Sequence, residues 1–145
     1  MFSWISAHPW AYPALEVVHL LGLGLLLGNL VLLELRVLGP APRPASAPPL
    51  PLPALARATL PLVLGGFGLS AASGLLMFAS QPLELLANRV FTIKMGLLVL
   101  AGINAALFHA RASLSKHDAV ARFQALLSLG IWLAVIVCGR FIAYV

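Results

Sequence analysis

Apolar residues fill four long stretches of the chain, and few polar positions interrupt them. The stretches cover residues 12–38, 55–79, 89–110 and 119–144. A helix needs about 20 mainly apolar residues to cross the hydrocarbon core of a bilayer, so each stretch is long enough. The pattern predicts an all-α, four-transmembrane-helix bundle in a single domain, with the helices running up, down, up and down.

The segments around these stretches have a different composition. Residues 39–54 are rich in proline, which predicts an extended loop without helix. The other two connections are short, and Asp118 stands where it can cap the fourth helix. Trp4, Trp10 and Tyr12 are typical of an aromatic anchor at a membrane surface. The start of the chain lacks the basic segment of a cleavable signal peptide.

Composition narrows the class of protein. The 145 residues are 61% hydrophobic and 9% charged, whereas soluble domains are about 45–50% apolar and about 25% charged. We therefore expect the lipid bilayer as a partner and no nucleic acid. The single cysteine, Cys138, excludes an intrachain disulfide and any cysteine-rich metal site.

The basic residues predict how the chain is oriented in the membrane. Most of them lie at one end of the predicted helices: Arg36, Arg43, Arg57, Arg111, Lys116 and Arg122. Since Lys and Arg accumulate on the cytoplasmic side, this end is predicted to be cytoplasmic and both termini to lie outside. The Ala-, Leu-, Pro- and Arg-rich composition favours a bacterial inner membrane, with periplasmic termini.

The two halves of the chain resemble each other. A shift of 75 residues places His19 on Lys94, and a shift of 65 places Gly74 on Gly139. Such a pattern is expected of an internal repeat of two parallel hairpins. Chance similarity in a sequence rich in Leu, Ala and Gly is the alternative.

Small residues indicate where helices approach closely. The first stretch contains the pattern Gly24-x-x-x-Gly28, with Gly22 beside it. The second stretch contains several more: Gly65, Gly66, Gly68, Ser70, Ser73 and Gly74. In membranes such positions allow backbone-to-backbone packing. We expect packing within the chain, and a homodimer through one of these faces is the alternative.

Charged side chains within a span are costly and mark candidate sites. Four of them share one depth near the predicted outer end: Glu16, His19, Lys94 and Arg140. Glu16 and His19 are three residues apart and so share a helix face. This outer layer predicts a site for haem b or copper, or a polar cluster without cofactor that holds the helices in register.

Each residue of the outer layer has a candidate role. His19 is the candidate ligand, and Glu16 would accept a hydrogen bond from its second ring nitrogen. Lys94 and Arg140 would neutralise the haem propionates. Further candidate metal ligands are Met77, Met95 and His109.

A second polar layer lies near the predicted inner end. It contains Glu34, Arg36, Arg57, Asn104, His109 and Arg111. We expect interfacial ion pairs here, Glu34 with Arg57 or Arg111. At 1.5 Å per residue, His19 and His109 are roughly 20–25 Å apart along the membrane normal. The two histidines of one chain therefore cannot ligate one haem.

Three segments carry a resemblance to known proteins: YPALEVVHLLGLGLLLGNLVLLELRVLG, FTIKMGLLVLAGINAALFH and the ending GRFIAYV. They resemble an uncharacterised family of short bacterial four-helix integral membrane proteins. More distantly, the chain is similar to the membrane domain of copper-resistance protein D (CopD) and to small b-type cytochromes. That resemblance implies metal or haem handling. The chain lacks the paired histidines of those cytochromes and the Met-rich stretches of copper funnels.

Three functions follow from these observations as alternatives. The first is a small membrane redox or metal protein that carries haem b or copper near the outer face. The second is a non-catalytic accessory subunit of a larger membrane complex, and the third is a small proton-coupled transporter. The sequence contains no GxSxG, HExxH or Walker-type motif, so no hydrolase or nucleotide site is indicated.

Overall fold

The computed structural model describes residues 2–39, 51–116 and 118–145, and within these ranges it contains helices and no strand. The helices are α1 (Ser3–Ala7), α2 (Ala11–Leu38), α3 (Leu52–Ser80), α4 (Pro82–Ala87), α5 (Arg89–Ala110), α6 (Ser113–Lys116) and α7 (Ala119–Phe141), followed by a 3₁₀ turn at Ile142–Tyr144. Most of the predicted proline-rich loop, including Arg43, lies outside the described residues.

Four of these helices are long and apolar enough to cross a membrane: α2, α3, α5, and α7 with its final turn. The prediction of an all-α, four-helix, multi-pass membrane protein is confirmed. Helix α3 starts at Leu52, three residues earlier than predicted. Proline is tolerated in a first helical turn because the N–H it lacks has no partner there.

The two ends of the bundle differ in the chain segments that they carry. We call the end with the start of α2 and the end of α7 the terminal face. The opposite end, where α2 stops at Leu38 and α7 begins at Ala119, is the loop face. Trp4 and Trp10 are exposed beside the terminal face, as expected of an aromatic anchor.

The bundle consists of two tightly packed hairpins. Helix α2 packs along α3, α5 packs along α7, and α2 also packs against α7. Helices α3 and α5 scarcely approach each other, although the rings of Phe78 and Phe91 stack with centroids 5.6 Å apart. The two hairpins are therefore joined mainly through α2 and α7.

Helices α2 and α3 cross most closely at two glycines. A Cβ added to Gly66 would lie 2.5 Å from the backbone nitrogen of Leu26 and 2.6 Å from the carbonyl oxygen of Gly22. In lipid, such close backbone packing supplies the dispersion contacts that hold helices together. By contrast, a Cβ on Gly24 or Gly28 would meet no atom within 4 Å. The expected GxxxG pair is thus not the packing motif in this chain.

Asp118 caps α7, as its position predicts. Its carboxylate accepts a hydrogen bond from the backbone N–H of Ala121 at 2.9 Å. It also forms an ion pair with Arg111, whose Nη2 lies 3.0 Å from Oδ2. The Ala121 N–H first, and the Arg111 guanidinium second, hold the pKa of Asp118 below its ordinary value.

We expect Asp118→Ala to lower the melting temperature of the bundle in detergent, and Asp118→Asn to lower it less. Asparagine still caps the helix but carries no charge for Arg111. Because the folded-state pKa is depressed, the stabilisation is complete above the ordinary aspartate pKa of 3.8 and is lost as the pH falls through the folded value. Thermal melts over a pH series measure this. An equal loss in both variants would contradict the capping role.

Candidate ligand-binding site near the terminal face

His19 lies on α2, about 12 Å along the helix from its first residue. Its imidazole rests against α3, with Nδ1 2.8 Å from the carbonyl oxygen of Ser70 and 3.2 Å from Oγ of Ser73. Gly74 provides the space, since a Cβ there would lie 3.3 Å from Cε1 of the ring. The ring is therefore held between the two helices of the first hairpin.

This geometry determines the tautomer of a neutral His19. A carbonyl oxygen can only accept, so Nδ1 carries the hydrogen and donates it to Ser70. The lone pair then lies on Nε2, and no residue of the described chain forms a hydrogen bond with that nitrogen. Histidines that ligate metals are commonly oriented in this way, with the other ring N–H donated to a carbonyl or carboxylate.

The predicted contact between Glu16 and His19 does not occur among the described residues. Glu16 is exposed, and its carboxylate is a charged neighbour of Tyr12 near the terminal face. The carboxylate is thus not buried against the neighbouring helices, which avoids the large cost of burying an unpaired charge. The carbonyl of Ser70 takes the place that we expected Glu16 to fill.

Lys94 lies in the same layer as His19 and is half-buried. Its Nζ is 3.6 Å from the position that a Cβ on Gly139 would occupy, and Cys138 is another neighbour. The ammonium group is also close enough to His19 to act on it electrostatically. Of the four residues of the predicted outer layer, His19 and Lys94 thus lie within electrostatic range of each other.

Arg140 does not join this pair. Its Nη2 donates a hydrogen bond to the hydroxyl of Tyr144 at 2.6 Å, and its guanidinium lies 5.0 Å from the centroid of that ring. Both side chains are exposed at the end of α7. The expected pairing of Arg140 with Glu16 is absent from the part of the chain described here. Its position in the last turn of α7 allows the long side chain to extend toward the terminal face.

The other candidate metal ligands are dispersed. Met77 is half-buried and follows Ser70 and Ser73 along the stripe of α3 that contacts α2. Met95 is 37% exposed. His109 is exposed in the last turn of α5, near the loop face, where its ring packs edge-on against Phe108. His19 and His109 therefore lie toward opposite ends of the bundle, as their sequence positions predict.

The two hairpins present equivalent contacts at this depth. His19 contacts Ser73 and the open position of Gly74. In the sequence repeat, His19 corresponds to Lys94 by a shift of 75 residues, and Ser73 and Gly74 correspond to Cys138 and Gly139 by a shift of 65. In the structure, Lys94 lies against Gly139 and beside Cys138. This correspondence supports the two-hairpin repeat. One hairpin presents an imidazole where the other presents an ammonium group.

An apolar cleft lies between His19 and the terminal face, and His19 itself is not one of its lining residues. Its volume is about 300 Å³, and its lining includes Leu15 and Val18 of α2 and Leu76 of α3. Leu15 is one helical turn from His19 on the same side of α2. Side chains in a helix lean toward its N-terminus, which for His19 is the direction of this cleft.

The described residues contain no group of three or more His, Cys, Asp or Glu side chains that could hold a metal ion. A site in which several such side chains chelate one ion is therefore not formed in residues 2–39, 51–116 and 118–145. The arrangement that is formed offers one imidazole nitrogen, one ammonium group and an apolar cleft. It suits a ligand that needs a single axial nitrogen, a cation and apolar walls.

The predicted ion pairs of the second polar layer are wrong. Glu34 is buried and has Ser128 of α7 as its polar neighbour. Arg57 turns back along α3 and donates through Nε to the carbonyl oxygen of Pro53 at 3.4 Å. Arg111 is paired with Asp118. Both guanidinium groups therefore have their partners near the loop face, and neither is paired with Glu34.

A buried polar network that the sequence did not suggest joins α5, α6 and α7. The side-chain amide of Asn104 donates to the backbone oxygen of Gln124 at 2.9 Å, and Ser113 Oγ donates to Gln124 Oε1 at 2.7 Å. Arg111 donates to the hydroxyl of Ser113 at 2.9 Å. Buried polar groups satisfied in this way fix the register of the second hairpin.

Comparison with protein-family models, curated proteins and solved structures gives no significant match to this chain.

Proposed function

We propose that the protein binds haem b in the half of the membrane next to the terminal face, with Nε2 of His19 as an axial ligand. The supporting observation is the 2.8 Å contact between Nδ1 of His19 and the carbonyl oxygen of Ser70. It places the N–H on Nδ1 and the lone pair on Nε2 before any ligand arrives. When bound, the haem supplies one-electron chemistry, and the protein supplies the ligand, the orientation and the electrostatics.

A haem suits this site better than a copper ion does. Copper centres in proteins usually take several nitrogen and sulfur ligands, whereas one imidazole suffices for one axial position of haem iron. Met77, which continues the stripe of α3 that contacts α2, would be a second residue to hold the haem. Met95 and His109 are exposed, and His109 lies in the last turn of α5, near the loop face.

Lys94 and the apolar cleft supply the other contacts that a haem needs. The ammonium of Lys94 lies in the His19 layer, where it would neutralise a propionate. Leu15, Val18 and Leu76 would cover part of the macrocycle and keep it from water. Excluding water raises the strength of the Lys94–propionate interaction, since the local dielectric is low.

The distribution of basic residues suggests the location of the site in the cell. Arg36, Arg57, Arg111 and Arg122 all lie toward the loop face, which the positive-inside rule assigns to the cytoplasm. The terminal face, and with it His19, would then belong to the periplasmic half of a bacterial inner membrane.

A haem titration tests the proposal. The purified full chain in lipid nanodiscs is titrated with haemin, and the Soret absorbance is recorded. We expect saturable binding at about one haem per chain, with a Soret maximum shifted from that of haemin in empty nanodiscs. Absorbance that rises without saturation, as in empty nanodiscs, would overturn the proposal.

Lys94→Met is expected to weaken haem binding about tenfold, or ~1.4 kcal/mol, because one propionate loses its cation. The Soret maximum should stay in place, since the iron ligand is unchanged. The same titration measures both quantities. Lys116→Met, which alters an exposed lysine near the loop face, is the matched control and should bind like the wild type. Equal affinity for Lys94→Met and Lys116→Met would remove Lys94 from the site.

A further inference from the structure

Glu34 is the most buried carboxyl group of the described chain, with 6% of its surface exposed. It lies on α2, one helical turn from Leu38 at the loop face. Its Oε2 is buried and has no hydrogen-bond partner among the described residues, and Ser128 of α7 is the polar neighbour of the carboxyl group. Around it, apolar side chains such as Leu33 and Val37 fill the interface of α2 with α3 and α7.

Among the described residues, no cation forms an ion pair with this carboxyl group. The titratable groups near the loop face of the described chain are Arg36, Arg57, His109, Arg111, Lys116, Asp118 and Arg122. Arg57 and Arg122 are exposed, and Arg111 is paired with Asp118. Arg36 is two residues from Glu34, and residues two apart in a helix do not face each other. Across the ranges described, Arg111–Asp118 is the only ion pair.

An ionised carboxylate in these surroundings would be very costly. A buried charge without a partner costs far more than a buried neutral group, because the apolar interior cannot replace its hydration. A neutral carboxylic acid with one unmade hydrogen bond costs far less. Of the ligands that can neutralise Glu34, a proton needs no additional coordinating oxygens, whereas a sodium ion needs several.

We propose that Glu34 is a proton-binding site of the bundle interior, loaded from the loop face one helical turn away. In the loaded state its carboxyl group is neutral and Ser128 remains its polar neighbour. Release of the proton creates a carboxylate that needs water or a cation, so release requires α2 and α7 to separate at this level. This site is independent of the haem site at His19, and it is the kind of group that proton-coupled membrane proteins use.

Infrared difference spectroscopy on the full chain in nanodiscs tests this proposal. At neutral pH we expect a carbonyl band of a protonated carboxylic acid that shifts in D₂O and is absent from Glu34→Gln. The amide is isosteric with the neutral acid, so Glu34→Gln should melt at the wild-type temperature. Glu84→Gln, which alters an exposed carboxylate, is the matched control and should keep the band.

Two results would overturn the proposal. The first is a wild-type spectrum that lacks the acid band at neutral pH, since Glu34 would then be ionised in the folded protein. The second is an acid band that is present in choline chloride and disappears in proportion to added sodium chloride, since the site would then exchange its proton for a sodium ion. Retention of the band in both salts supports the proton as the ligand.

Discussion

Replacement of His19 with alanine is expected to abolish saturable haem binding. The iron would lose the ring nitrogen of His19, the only histidine of the described residues that lies at this depth, with its lone pair oriented by the hydrogen bond to Ser70. Loss of a residue that merely orients a metal ligand typically costs about 10–100-fold in affinity, so loss of the ligand itself should exceed that range. Titration of the variant with haemin measures the effect, and added imidazole should restore part of the Soret band.

His109→Ala is the matched control for this result. It removes an exposed histidine at the other end of the bundle, where its ring packs against Phe108 and contacts no residue of the His19 layer. We expect its haem affinity and melting temperature to equal those of the wild type. If His19→Ala binds haem as tightly as His109→Ala does, then His19 is not the ligand.

Gly66→Ala is expected to destabilise the first hairpin by about 1–3 kcal/mol, the usual cost of overpacking a tight contact. The added Cβ would lie 2.5 Å from the backbone nitrogen of Leu26 and 2.6 Å from the carbonyl oxygen of Gly22. Both are backbone atoms, so relief requires α2 and α3 to move apart. Unfolding in mixed detergent, followed by circular dichroism, measures the loss.

The adjacent glycine provides the control for Gly66→Ala. A Cβ on Gly65 would meet no atom within 4 Å, and alanine has a higher helix propensity than glycine. Gly65→Ala should therefore be neutral or slightly stabilising. Equal stability of the two variants would contradict the close crossing of α2 and α3. Because Ser70 and His19 lie beside the same crossing, Gly66→Ala should also weaken haem binding.

The four spans could be predicted from the sequence because each is a long apolar stretch and lipid requires every backbone group to be paired within the helix. The point at which α2 and α3 cross could not be predicted in the same way. The pattern of Gly24 and Gly28 predicted a close contact two residues after Gly22, whereas the contact lies at Gly22 itself. Two residues correspond to about 200° around a helix. The face that meets a neighbouring helix depends on packing along its entire length.

For the candidate site, the depth of polar residues could be predicted and their direction could not. Counting residues from the span ends placed His19 and Lys94 in one layer, and the structure places them within electrostatic range of each other. The same count placed Glu16 and Arg140 there, but both are exposed. Near the end of a span a charged side chain can turn either toward the bundle interior or toward the hydrated surface. The spacing of residues along one helix does not determine which direction the side chain takes.

The hydrogen-bond partner of His19 gave no signal in the sequence. It is a backbone carbonyl, and every residue has one. Gly74 is the sequence feature that marks the place of this carbonyl. It is four residues after Ser70, and its lack of a side chain leaves room for the His19 ring. Glu34 shows the converse case. Arg57 and Arg111 were its expected partners, but Arg57 is exposed and Arg111 is paired with Asp118, while Glu34 is buried.

The most direct test of the account is the absorbance spectrum of the full chain purified in mild detergent, first oxidised and then reduced with dithionite, with iron and copper measured on the same sample. A haem-binding protein should show a Soret band, visible bands that sharpen on reduction, and about one iron per chain. A featureless spectrum from a sample without stoichiometric iron would contradict the central claim that His19 is a haem ligand.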